Sequence, residues 1–199
     1  MITAIVLAAG MSRRMGRQKL LLPCGEFTLL EHVIGEIMNA GIDSCLVVTG
    51  PDHDRLKPLI ESKGAQAVFN PHSINGGMLS SVRCGLLNAD PNTDGYLICL
   101  GDMPSLNSSV IEEMLLKINQ VKPLVMVPVF NGKRGHPLYF RTRFKEEIMT
   151  QYDEVGLRGF LSAHSDQVSE LECSSEGILI DLDTPADYEQ WSKTGGHSN

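Results

Sequence analysis

Apolar and polar positions fall into alternating blocks along this chain, and the blocks read as strand, helix, strand, helix. Ile2 to Ala9 is an apolar run, the pattern of a buried parallel strand, and it ends at Gly10. Thr28 then caps Leu29, Leu30, Val33, Ile34, Ile37 and Met38 at helical spacing, with Gly41 as the stop. Ser44 to Thr49 is a short β-branched strand. Asp52 to Lys63 predicts a helix that carries Pro58 and closes at Gly64. Ala67 to Asn70 reads as a strand, and Met78 to Leu87 as a helix after Gly76-Gly77. Tyr96 to Leu100 is a strongly apolar strand, Ser108 or Ser109 starts a helix over Val110 to Ile118, and Leu124 to Phe130 is another strand. Such repetition implies an α/β fold: a Rossmann-like, doubly wound, mostly parallel sheet in three α/β/α layers.

The pattern loosens beyond residue 130. Asn131 to Pro137 is a glycine-rich, basic turn, and His136 to Phe140 predicts a short strand, antiparallel at the sheet edge. Two short helices near 143–150 and 156–164 follow, then short strands at 168–171 and 178–181. Pro185, after Thr184, opens a last helix to Trp191. One domain over residues 1–193 with a polar tail at 194–199 is the expected organisation.

Composition narrows the function classes. The 199 residues are 42% hydrophobic and 21% charged, which fits a folded domain with a sizeable core. A formal charge of −7 argues against a broad nucleic-acid surface. The start lacks a signal-peptide pattern, and no apolar run reaches the ~18–20 residues of a membrane helix. Five cysteines without a C-x-x-C pair read as free thiols of a reducing compartment, so the expected location is cytoplasmic, with no membrane or nucleic-acid partner.

The chemistry is expected at the first loop. Gly10 and Gly16 flank or precede Arg13, Arg14, Arg17 and Lys19, just past the first strand. Glycines let backbone N–H groups approach phosphate oxygens, and the cations neutralise them. The spacing is neither that of a P-loop nor that of the dinucleotide Gly-x-Gly-x-x-Gly. Asp102, just past an apolar strand, falls at the same carboxyl edge, where open α/β sheets bind ligands. Phosphate beside a carboxylate implies Mg²⁺, a hard cation; a plain helix cap is the competing reading of Asp102. Asp181 and Asp183 share a side by alternation, so either could reach a metal held by Asp102, or they simply cap the last helix. Gly77 and Ser81 suit the approach and hydrogen bonding of a flat base, and Lys133 to Pro137 suits an anionic or polar acceptor.

Together the motifs Leu7-Ala-Ala-Gly-x-Ser-x-Arg14-Met15-Gly16-x-x-Lys19, Gly77-Met78-x-Ser80-Ser81-Val82, Gly101-Asp102-Met103-Pro104, Gly135-His136-Pro137 and Asp181-x-Asp183-Thr-Pro185 resemble the molybdenum cofactor nucleotidyltransferases, most closely the cytidylyltransferase branch. The resemblance covers almost the whole chain. It implies the nucleotide-diphospho-sugar transferase (GT-A-like) fold and transfer of CMP from CTP to a molybdopterin-type cofactor, with Mg²⁺ and, as a further partner, an apo molybdenum hydroxylase. It places Arg14, Lys19 and Asp102 in catalysis, and Leu7, Ala8, Ala9, Gly10, Gly77 and Ser81 around the nucleotide together with those three. Asp102 and Asp183 would hold the metal, with Asp181 as an additional ligand, and Arg134, His136 and Gly156 would face the acceptor. Ala9 stands where guanylyltransferase relatives carry glycine, which narrows the base pocket towards a pyrimidine. GTP or another phosphorylated acceptor on the same fold is one alternative reading, and a non-catalytic cofactor carrier is another.

Overall fold

A computed structural model describes residues 1–193; the expected polar tail lies outside the described residues. The elements are β1 (Ile2–Ala8), β2 (Pro23–Cys24), β3 (Phe27–Thr28), α1 (Leu29–Asn39), β4 (Ser44–Thr49), α2 (His53–Ser62) and β5 (Gln66–Phe69). Then come α3 (Gly77–Asn88), β6 (Gly95–Leu100), α4 (Ser108–Val121), β7 (Val125–Phe130), β8 (Lys133–Arg134) and β9 (Leu138–Arg141). The remainder is α5 (Lys145–Thr150), α6 (Gly156–Ala163), β10 (Val168–Glu172) and α7 (Pro185–Lys193).

The sheet runs β10-β7-β9-β6-β1-β4-β5, with β8 paired to β7. β1 lies between β4 and β6, parallel to both, in the register Ala8↔Thr49 and Leu7↔Leu100. Its odd and even positions face different layers. Ala4, Val6 and Ala8 pack with the apolar stripes of α1, α2, α4 and α7, whereas Ile5 packs under α3, α5 and α6. α1 starts at a reciprocal capping box between Thr28 and Glu31. The mostly parallel sheet, the two helical layers and the order of βα units up to β7 agree with the sequence expectation. Four cysteines are buried and Cys84 is half-buried, all as free thiols.

Three local features depart from it. The strand expected at the sheet edge, β9, is interior: it pairs antiparallel with β6 on one side and β7 on the other. Leu138, Tyr139 and Phe140 are all buried, the unbroken apolar run of a strand covered on both faces. The strand expected at 178–181 is a 3₁₀ turn at Glu176–Leu179 followed by extended chain. Its backbone bonds go to loops: His136 donates to Ile178 O at 3.0 Å, and Leu182 donates to Asp102 O at 3.0 Å. The β2–β3 hairpin was not anticipated, since two-residue strands carry no periodicity.

Candidate active site

β1 delivers the chain to the carboxyl edge of the sheet, and the loop after it folds against itself. Ser12, in the left-handed region (φ 48°), donates from Oγ to Gln18 Oε1 at 3.0 Å and accepts from Lys19 N at 3.1 Å. Gln18 in turn donates to Asp52 Oδ2 at 2.6 Å, which anchors the loop to the start of α2. Met15 is buried beneath the loop. Residues 13–15 and 19–21 form two 3₁₀ turns, and the second points Lys19 inward.

Lys19 meets two carboxylates there. Its Nζ lies 2.5 Å from Asp102 Oδ2 and 3.1 Å from Asp183 Oδ1, and Arg14 Nη2 lies 2.9 Å from Asp183 Oδ2. Asp102 follows β6, and Gly101 N donates to Leu7 O at 3.0 Å, so the ends of β1 and β6 hold it in place. Asp181 and Asp183 flank the buried Leu182, whose side chain enters the core, so alternation puts both acids on the cleft side even without a strand.

The electrostatics of this corner are strongly coupled. Burial works against the Lys19 ammonium, but Asp102 and Asp183 outweigh it and hold the amine above its ordinary value. Burial and the like charges of Asp102 and Asp183 push the Asp181 carboxyl up. Burial pushes the His136 imidazole down, although Asp102 and Asp181 pull the other way. Thus the site carries more negative charge than its lysine and arginine compensate. The donor set is all carboxylate oxygen, which suits a hard divalent cation. Among the described residues no three acidic, histidine or cysteine side chains form a ready-made metal cage. That is the usual situation for Mg²⁺, which takes one or two carboxylates and completes its shell from phosphate and water.

A cleft of about 440 Å³ opens over this corner. Every residue expected at the nucleotide lines it: Leu7, Ala8, Ala9, Gly10, Arg14, Lys19, Gly77, Ser81 and Asp102; so do Asp181 and Asp183. Arg13 borders an outer extension of the cleft, while Arg17 is exposed and lines neither. Arg134 and Gly156 are not brought to this cleft. Arg134 is exposed and paired with Glu170 at 2.7 Å, and Gly156 begins α6. His136 is half-buried close to the carboxylates, its Nδ1 3.4 Å from Ile98 O. Met11, Leu20, Ser73, Met78 and Leu100 also line the cleft and were not anticipated. Met78 sits inside a quoted motif, but Ser73 is one serine in an irregular loop and offers no pattern.

The chain matches the family model of the MobA-like NTP transferase domain over residues 4–168. It belongs to that family. Accordingly, it is a nucleotidyltransferase. It is 25% identical over 187 residues to the molybdenum cofactor cytidylyltransferase of Escherichia coli K12, a match that covers 94% of this chain and 93% of that protein. A probable molybdenum cofactor guanylyltransferase of Bacillus mycoides KBAB4 is 29% identical over 153 residues, 75% of this chain and 73% of that protein. Among solved structures, Rv0371c from Mycobacterium tuberculosis H37Rv superposes with a TM-score of 0.85 at 24% identity, covering 96% of this chain and 98% of that one. The same protein is also known as a manganese complex, with a TM-score of 0.81 at 23% identity over 97% and 98% of the two chains. These neighbours share the fold of this chain. None of the described helices is long and apolar enough to cross a membrane.

Proposed function

We propose that this nucleotidyltransferase moves CMP from CTP to a molybdopterin-type cofactor and releases pyrophosphate. The observation that carries the reading is the cleft itself. Small and apolar residues (Ala8, Ala9, Gly77, Met78) share one cavity with Arg14, Lys19, Asp102 and Asp183, the composition needed for a base and a triphosphate together. Ala9 favours the pyrimidine. Its carbonyl lies where a Cβ on Gly50 would come within 2.6 Å, so Gly50 lets β4 back tightly against it. Ala9 therefore has little room to retreat, and its methyl group takes up space that a larger base would need.

In the reaction, an oxygen of the acceptor phosphate attacks the α-phosphorus of CTP in line. The bond to the bridging α–β oxygen breaks, and pyrophosphate leaves carrying that electron pair. The acceptor oxygen is already anionic, so no general base is required, and positioning and charge neutralisation supply the catalysis. Arg14 and Lys19 bind the triphosphate and neutralise the leaving pyrophosphate. His136, whose imidazole burial pushes down, would meet the acceptor, as the family resemblance implies. Asp102 and Asp183, with Asp181 beside them, would hold Mg²⁺, which supplies neutralisation of phosphate charge. The manganese complex of Rv0371c supports a divalent cation in this fold.

The guanylyltransferase relative makes GTP the competitor to test. Purified protein with Mg²⁺, molybdopterin and each nucleotide triphosphate in turn, followed by pyrophosphate release and product mass, decides it. Preference for CTP with a CMP-adduct product is expected. A strong preference for GTP would overturn the Ala9 argument, and absence of any nucleotide turnover would point to a cofactor carrier.

A further inference from the structure

Behind the base side of the cleft lies a hydrogen-bond chain with only one arrangement of its protons. Asn70, buried at 1% exposure, closes β5. Its Oδ1 accepts from His72 N at 2.9 Å, which assigns the amide orientation and turns the NH₂ group towards α3. The two amide protons are both used there: Nδ2 donates to Ser80 Oγ at 3.0 Å and to Ser81 Oγ at 3.1 Å. Ser80 passes its own proton to Gly77 O at 3.0 Å. Ser81 is different. Its Oγ has accepted from Asn70, no acceptor for its proton exists among the described residues, and the residue lines the cleft at 4% exposure.

We infer that Asn70 is a positioning residue of the nucleotide site, forcing the Ser81 hydroxyl to act as a donor into the cleft, where it reads an acceptor atom of the base, the O2 carbonyl of cytosine. A serine hydroxyl is normally free to donate or accept. Here the acceptor role is filled from behind, so the cleft meets a donor of fixed polarity. A buried donor without its partner is costly, which makes such a contact selective for the group it faces. Ser81 adjoins Gly77 and Met78 rather than the charged corner, which favours the base as its partner. The inference rests on the CTP reading above.

The test compares wild type, Ser81→Ala, Asn70→Asp and the double variant at pH 8, with CTP and with 2′-deoxy-CTP, by pyrophosphate release and by melting temperature. Asn70→Asp keeps the acceptor for His72 N but removes both amide donors, so Ser81 must turn its proton backwards. Ser81→Ala is expected to raise KM about fivefold to tenfold, the loss of one neutral hydrogen bond, with kcat within about twofold and equally for both nucleotides. Asn70→Asp should raise KM at least as much, and in the Ser81→Ala background it should add less than about twofold. Full additivity of the two substitutions in KM would reduce Asn70 to a structural role and overturn the inference. A Ser81→Ala penalty that vanishes with 2′-deoxy-CTP would assign the hydroxyl to the ribose and overturn it too. Ser81→Ala removes a single oxygen, so unchanged KM in that variant alone refutes the inference even if Asn70→Asp fails to fold. Wild type that turns over GTP and not CTP would instead remove the reading on which the inference rests.

Discussion

At the scale of single residues, the site is organised by one lysine between two acids. Lys19 and Arg14 neutralise Asp102 and Asp183 in the chain alone. A triphosphate competes for the same cations, and a divalent metal competes for the same acids, so metal and nucleotide together substitute for contacts the protein makes with itself. Removing Lys19 leaves partly buried carboxylates uncompensated. Lys19→Met should therefore bind Mn²⁺ more tightly than wild type in the absence of nucleotide, while its KM for nucleotide rises and its kcat falls. Titration calorimetry that gives the same Mn²⁺ affinity for both proteins would sink this view of the lysine. Asp102→Asn should lower pyrophosphate release by at least about 100-fold, in line with loss of preorganised charge at a transition state. Near wild-type, Mg²⁺-dependent release would refute the assignment of Asp102. The charged side of this site was legible in the sequence because Arg14 and Lys19 follow a glycine-hinged loop after an apolar strand and Asp102 stands next to Gly101 at the end of another, features that mark the edge of a sheet. The base side was only partly so. Asn70 and Ser73 lie in the irregular loop after β5, and no spacing rule announces them.

At the scale of elements, α3 carries Gly77 and Ser81, and its depth over the sheet depends on Gly85. A Cβ at Gly85 would stand 2.4 Å from Ile5 Cγ2 in the buried middle of β1. Gly85→Ala should thus lower stability by about 1–3 kcal/mol through overpacking, seen as a lower urea midpoint at unchanged slope, and raise KM for nucleotide because the helix lifts. An unshifted midpoint would mean that β1 and α3 separate more easily than their packing implies. α5 and α6 are joined by a different device. Tyr152 Oη and His164 Nε2 both meet Glu147 Oε1, the latter at 2.7 Å. Burial disfavours the ionised Glu147, but Tyr152 and His164 outweigh it and hold the carboxyl below its ordinary value; burial and then Glu147 push the Tyr152 hydroxyl up to about 12. The depressed acid contributes stability above the usual carboxylate range that is lost as pH falls through its folded value. The raised phenol contributes stability below its ordinary value near ~10 that is lost as pH rises through about 12. Tyr152→Phe should flatten both flanks of the melting temperature against pH, and an unchanged profile would count against the pairing. The βα units before residue 130 were readable because each buries one clean stripe or run. The second half was less so: β9 is interior because its residues are apolar on both faces, and segment 176–183 is held by loop contacts that leave no period in the sequence.

At the scale of the molecule, the cleft is where the two ends of the described chain meet. Its walls come from the loop after β1, the approach to α3, the end of β6, and the segment that leads into α7. The C-terminal segment is tied to the rest at several points: Leu182 N to Asp102 O, Tyr188 Oη to Pro23 O at 2.9 Å, and Trp191 Nε1 to Ser105 Oγ at 3.2 Å. Gly177 packs so closely on Ser105 that a Cβ would stand 2.1 Å from its carbonyl oxygen. A ligand that bridges Lys19, Asp102 and Asp183 therefore braces the first loop, the sheet edge and the last helix at once, and its binding energy should appear as global stability. Ligand at 100 times its Kd stabilises the folded state by about 2.7 kcal/mol, which for a chain of this size is a rise of roughly 5–11 °C in Tm. Mg²⁺ with CTP should produce a shift of that order, and chelation of the metal should remove part of it, because repulsion between the carboxylates and the phosphates then returns. Lys19→Met should respond less to nucleotide than wild type. If saturating Mg²⁺ and CTP left Tm unchanged, the nucleotide would not be spanning both ends of the chain, and the triphosphate would have to sit outside the Lys19–Asp102–Asp183 corner.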